Sequence, residues 1–144
     1  MKRKIAMAFL YLVCLIMILF AFDLSRAGYS EKLLPVMEET IGKTTQQLNE
    51  SNPNLLTVFF TVLKVNAALF LSFAVALIIA ISSPFRKGKT WSIPVIFIPI
   101  GIWLILAVVI YLPIPKSPLF IWIIAGVLTI IAFILSFGGN KDQD

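Results

Sequence analysis

Between Ile5 and Phe22 the chain carries no charge, and three more apolar runs follow: Leu55–Ser82, Ser92–Leu112 and Pro118–Phe137, with Lys64 the single charge among them. At about 1.5 Å of helical rise per residue, each run can cross most or all of a hydrocarbon core about 30 Å thick. The second run would reach about 42 Å as a helix, so part of it must tilt or project beyond that core. Lipid offers backbone groups no hydrogen bonds, which leaves only helices and closed barrels as spanning structures. These runs lack the alternating polarity of barrel strands and are about twice a strand's length. The predicted fold is therefore all-α: one integral membrane domain, 1–144, a four-helix transmembrane bundle. Its helices are expected at about 5–22, 55–82, 92–112 and 118–137, with an amphipathic extracytoplasmic segment at 23–54. Composition agrees, because 60% of the residues are hydrophobic and only 13% are charged, whereas soluble domains carry about a quarter charged residues.

The flanks of the runs predict how the chain is threaded. Lys2-Arg3-Lys4 precedes the first run and Asp23 closes it. A basic start also fits a signal peptide, but the apolar part is too long and no small-x-small cleavage site follows. An uncleaved first helix is expected. Ser92 and Pro94 read as a cap and first-turn pair for the third helix, and Ser117-Pro118 and Gly138-Gly139 bracket the fourth. Only "PIPKSP" separates those two, so they must form an antiparallel hairpin. Seven of the Lys and Arg residues fall on the side of the termini and the 83–90 turn, Arg86, Lys87 and Lys89 among them. Four, spread among five acids, fall on the other side. The positive-inside rule then places both termini and that turn in the cytoplasm. Trp91 is expected to anchor the inner interface, and Tyr111 and Trp122 the outer one.

In the outer segment, Leu33, Leu34, Met37, Ile41 and Leu48 share one side of a helical wheel, while Glu31, Glu38 and Glu39 lie largely elsewhere. Pro35 and Gly42 break this stretch into two short helical pieces. They are expected to form an amphipathic cap lying on the bundle or the outer membrane surface, with Leu34, Met37 and Ile41 inward, or to serve as a lid or partner-binding face.

Few residues could carry chemistry. An ionisable residue within a span is a functional candidate because burying it is costly. Lys64 recurs with Thr57 and Thr61 at helical spacing, giving one polar stripe. Lys64 could snorkel to the interface, pair with Asp23, or hold an anionic ligand. Asn66 lies about 200° round the helix from Lys64 at 100° per residue, so it is expected to bond across a second helix interface, with the second helix central in the bundle. Pro99 and Gly101 should kink the third helix and open a cavity beside Trp103, itself a candidate for packing or for a ligand platform.

Several classes are set aside. The chain has no histidine and a single cysteine, Cys14, so a Ser-His-Asp set, a redox dithiol and the commonest metal ligand are all missing. The residue before Cys14 is Val13, and the apolar run continues past it, so a buried thiol is expected there and not a lipid anchor. No acid lies inside a span for proton-coupled export. No catalytic residue, metal or cofactor is predicted, and the chain is read as a non-enzyme. The net charge of +5 sits in short caps beside apolar runs, unlike the continuous basic stripe that binds nucleic acid. Membrane lipid, a protein partner or a second copy remain as partners. The leading expectation is a structural or accessory membrane subunit acting through its bundle and outer segment. The alternative is a small carrier, channel or ligand-binding protein using Lys64 and the cavity at Pro99.

The turn Phe85-Arg86-Lys87-Gly88-Lys89-Thr90-Trp91, a Phe-Arg-x-Gly-x-x-Trp pattern between the second and third helices, together with the longer first outer segment, resembles small bacterial four-helix proteins of the DoxX-like group. The resemblance covers topology along most of the chain. At residue level it rests on Phe85, Arg86, Gly88 and Trp91; family members often carry Trp-Ala where this chain has Trp91-Ser92. It implies a bacterial inner-membrane protein and no single activity.

Overall fold

A computed structural model describes residues 2–112 and 119–137, with the side chains of Val36, Thr40, Ile110 and Tyr111 left aside. Six α-helices follow in order: α1 Lys2–Ser30, α2 Pro35–Ile41, α3 Thr45–Ser51, α4 Pro53–Ala80, α5 Ser92–Tyr111 and α6 Leu119–Phe137. A π-helical turn, Ile81–Phe85, extends α4. Four of these helices are long and apolar enough to cross a membrane, as the sequence predicts, and such a set fits a multipass membrane protein.

The first helix runs eight residues past the expected end. Leu24, Ala27 and Gly28 continue its buried stripe, while Asp23 and Arg26 point outward. No proline interrupts, so charges on the open face do not stop the helix. It ends where Glu31 turns left-handed at φ 53°. The expected cap at Ser92 does not form: Trp91 holds the N-cap position without a side-chain bond, and the Ser92 hydroxyl donates to the Lys89 carbonyl instead. The start and stop pairs proposed at Ser117-Pro118 and Gly138-Gly139 lie outside the described residues, as does the "PIPKSP" connection.

Cross-helix contacts fix the threading. Tyr11 shares a 2.8 Å hydrogen bond with Ser82, the Phe20 and Phe70 ring centroids are 5.5 Å apart, and Lys64 stands over Tyr29. Numbers rise along α1 as they fall along α4, so the two are antiparallel. Phe97 with Phe133, and Trp103 with Trp122, show the same for α5 and α6. The charged N-terminus and the 86–89 turn share one end, where the Arg3 guanidinium lies against Gly88.

The central helix is α1, not the second spanning helix as expected. It buries Ala6, Leu10, Val13, Cys14, Met17, Ala21, Leu24, Ala27 and Gly28 along its whole length, and it packs on both α4 and α6. After Trp122, the buried stripe of α6 is small: Ala125, Thr129, Ala132 and Ser136. Small residues let two backbones approach closely, which is how helices gain packing energy in lipid. The Thr129 and Ser136 hydroxyls donate to carbonyls one turn back.

One ring from each spanning helix meets at a single level. Phe20 of α1, Phe70 of α4, Trp103 of α5 and Trp122 of α6 close a four-membered circuit, with neighbouring centroids 4.8–5.8 Å apart and edge-to-face. Such geometry sets each ring's positive edge against the next ring's negative face.

Candidate functional site

Beyond the aromatic circuit, the end of the bundle opposite the N-terminus is covered by α2 and α3. Local chemistry builds this cap. Pro35 starts α2, and Gly42 ends it at φ 68°, its N–H bonded to the Glu38 carbonyl. A reciprocal capping box starts α3: Thr44 accepts from the Gln47 N–H, and the Gln47 side chain accepts from the Thr44 N–H. The Asn52 side chain then caps α4, and Pro53 supplies the first-turn residue that needs no donor.

A three-way clasp ties these pieces together. Thr45 Oγ1 accepts from the Leu33 N–H at 3.0 Å and donates to Glu38 Oε1 at 2.9 Å. The Thr45 N–H donates to the same carboxylate oxygen at 2.9 Å. The strap after α1 is thereby joined to both cap helices. Leu33 is buried, and Leu34, Met37 and Leu48 pack beside it against Leu56, Phe60 and Leu63. The expected two-piece cap is present. Ile41, expected inward, is 44% exposed, because α2 is only two turns long and Ile41 sits at its free end.

Two donors on one oxygen stabilise the ionised carboxylate, the backbone N–H most and the hydroxyl next, and hold Glu38 below its ordinary value. A lowered carboxylate contributes stability that is present above the ordinary value and lost as pH falls through the folded one. Amide exchange at Leu33 and Thr45 should therefore stay slow from neutral pH down to the ordinary carboxylate range and accelerate below it. Glu38→Gln should accelerate both amides at every pH, after correction for intrinsic exchange. Unchanged protection in that variant would show that the clasp does not hold the cap.

Under the cap lies an open cleft of about 760 Å³, lined by the strap, both cap helices and the first turns of α4. Thr57, Thr61 and Lys64, the stripe predicted from spacing, all face it. The Thr57 hydroxyl donates to the Pro53 carbonyl and the Thr61 hydroxyl to that of Thr57, so towards the cleft these oxygens are acceptors. Lys64 is half-buried, with Nζ 5.2 Å from the centroid of the Tyr29 ring, a cation–π arrangement. Its stem lies against Gly28, which leaves no room for a Cβ between α1 and α4.

The other candidates are dispersed. Asp23 is exposed and does not pair with Lys64; it lies five residues before Gly28, about 140° round α1 at 100° per residue. Asn66 is exposed on α4 and not between helices. Trp122, expected at the outer interface, is 2% exposed and belongs to the aromatic circuit with Trp103. Trp91 is 57% exposed beside the exposed Arg86, Lys87 and Lys89; the Tyr111 side chain is outside the description. The described cavities do not include one at Pro99. A groove of about 490 Å³ lies nearer the start of α5, lined among others by Pro94, Phe97, Thr129 and Phe133.

Sequence reasoning missed three elements. The Thr44–Gln47 capping box was readable as a Thr-x-x-Gln pattern. The Glu38–Thr45 bond was not, because it spans a turn whose geometry no periodicity records. Gly28 carries no signal by itself, since only the partner helix reveals the close approach. No protein-family model matches this chain, and neither a curated protein nor a solved structure matches it.

Proposed function

We propose that this chain is a non-enzymatic multipass protein of a bacterial inner membrane, with both termini cytoplasmic, that acts as a structural or accessory subunit through its bundle and its capped outer end. The observation that carries this reading is the aromatic circuit. Four rings, one from each spanning helix, occupy the bundle at the level where a transport path would begin, while the cap above is braced by the Glu38–Thr45–Leu33 clasp. A filled bundle with an ordered platform suits docking better than passage. The DoxX-like resemblance belongs to the same proposal. Its Gly88 has a local reason of its own, a turn at φ 77°, so the weight of the resemblance falls on Phe85, Arg86 and Trp91.

Ligand binding is the second reading, favoured by the cleft that gathers Thr57, Thr61 and Lys64. A carrier would need the circuit to open; a binding protein would not.

Single cysteines test the orientation and the docking face together, because native Cys14 is buried. In intact cells, Gln46→Cys should react with an impermeant thiol reagent and Lys87→Cys should not. A thiol-directed crosslinker should then give an adduct of one size from Gln46→Cys and none from Lys87→Cys. Labelling of Lys87→Cys alone would reverse the orientation. Solute uptake by proteoliposomes, with no adduct at Gln46→Cys, would replace the subunit reading with the carrier.

A further inference from the structure

The cleft's donors and acceptors, and its depth, specify what it can hold. Because α1 and α4 are antiparallel with Gly28 opposite Lys64, the level of Lys64 can be read on α1. The charge-free run of α1 ends at Asp23, so Lys64 lies five residues, about 7 Å, beyond it towards the cap. Counting from the other end agrees: Phe85 to Lys64 is twenty-one residues of α4 and its π-turn, about 31 Å, which is the thickness of a hydrocarbon core. Lys64 and its cleft therefore occupy the headgroup layer of the leaflet on the cap side.

The cleft presents both signs. Lys64 carries three N–H donors, and its ammonium stands over the face of the Tyr29 ring. The side-chain oxygens of Thr57 and Thr61 present acceptors, their hydrogens being committed to the backbone. Glu31, exposed and held left-handed at the end of α1, adds a carboxylate to the same cleft; Lys32 and Glu38 line it too, the Glu38 carboxylate being engaged by Thr45. Leu56 and Phe60 supply apolar wall. An anion alone would satisfy Lys64 and be repelled by Glu31. A cation alone would do the reverse.

We propose that this cleft binds a zwitterionic phosphate–ammonium group, as carried by phosphatidylethanolamine of the cap-side leaflet, with the phosphate on Lys64 and the primary ammonium on Glu31, Thr57 and Thr61. A quaternary ammonium is cationic but has no N–H to donate, and a glycerol headgroup can donate from its hydroxyls but has no positive charge, so choline and glycerol lipids each meet only part of what Glu31, Thr57 and Thr61 offer. The inference rests on the membrane placement of α1 and α4, and it deepens the binding reading of the cleft without requiring a protein partner. Its readout on purified protein is therefore independent of the crosslinking result.

The test is native mass spectrometry of the full chain in detergent, titrated with short-chain phosphatidylethanolamine, phosphatidylcholine or phosphatidylglycerol. Loss of a charge-assisted hydrogen bond corresponds to roughly tenfold or more in affinity. Ethanolamine lipid should therefore bind about tenfold tighter than the other two. Lys64→Met should lower its affinity by a similar factor and Lys64→Arg should retain most of it, a contrast that a folding defect would not produce. Glu31→Gln should erase the preference over choline lipid while leaving phosphate-dependent binding. Free phosphoethanolamine identifies the source: competition at low millimolar levels assigns recognition to the polar group alone, and failure to compete assigns it to the intact lipid. Equal binding of the three lipids, or unchanged ethanolamine binding in Lys64→Met, would overturn the proposal.

Discussion

Trp122→Ala should be the most damaging single truncation in the bundle, lowering stability by about 3 kcal/mol or more. The side chain is 2% exposed and meets two other rings, Phe20 at 4.9 Å and Trp103 at 4.8 Å. Removing it breaks a circuit to which every spanning helix contributes, so the void cannot be closed by moving one helix alone. In a soluble core the cost would combine lost transfer energy with the cavity. In lipid the transfer part shrinks, since the unpacked state is also apolar, and lost packing dominates. That places the expectation towards the low end of the range of about 3–5 kcal/mol known for aromatic truncations. Trp91→Ala is the comparison: its ring is 57% exposed, and its loss should stay within about 0.5 kcal/mol. Thermal unfolding in detergent, followed by near-UV circular dichroism, distinguishes the two. Equal melting temperatures for both variants would mean that the circuit does not hold the bundle together.

The contrast between these tryptophans also marks what could be read in advance. The spans were legible because a charge-free run of twenty residues has few alternatives in physics, and the two-piece cap because Pro35 and Gly42 interrupt a clear amphipathic pattern. Which way each span faces was not. In water, polarity separates inside from outside. In lipid both sides of a helix are apolar, and the difference passes to size. Here α1 and α6 turn Ala6, Ala21, Ala125 and Ala132 inward, while Leu19, Phe22, Ile130 and Ile134 face out. A reading that sought polar residues inside put Asn66 at an interface and made α4 central. A reading that sought aromatic belts put Trp122 at the surface. The stripe of Thr57, Thr61 and Lys64 was found because three polar residues at helical spacing stand out in an otherwise apolar run. Its cleft needed the cap, and the cap's clasp joins residues that no repeat connects.

Gly28→Leu should separate α1 from α4 at the capped end, with a loss of about 1–3 kcal/mol from overpacking. A Cβ at Gly28 would lie 2.9 Å from Lys64 Cγ, 3.3 Å from the Lys64 backbone nitrogen and 3.4 Å from the Phe60 carbonyl oxygen. The last two are helix backbone and cannot swing aside; Cγ is near the base of its side chain and has little more freedom. Gly28→Ala is a finer case, because two terms oppose. The added methyl crowds α4, but replacing a helical glycine by alanine contributes up to about 1 kcal/mol of helix propensity. A near-neutral result is expected for alanine and a clear loss for leucine. Gly101 calibrates the propensity term, since a Cβ there meets nothing within 4 Å; Gly101→Ala should stabilise. The same displacement should reach the cleft. Pushing α4 away from α1 draws the Lys64 ammonium off the Tyr29 ring, 5.2 Å from its centroid in the native protein, and takes the phosphate donor from its place. Gly28→Leu should therefore weaken ethanolamine-lipid binding even below its melting transition, whereas Gly101→Leu should not. If both leucine variants melted and bound lipid alike, the close helix approach would not be what positions Lys64.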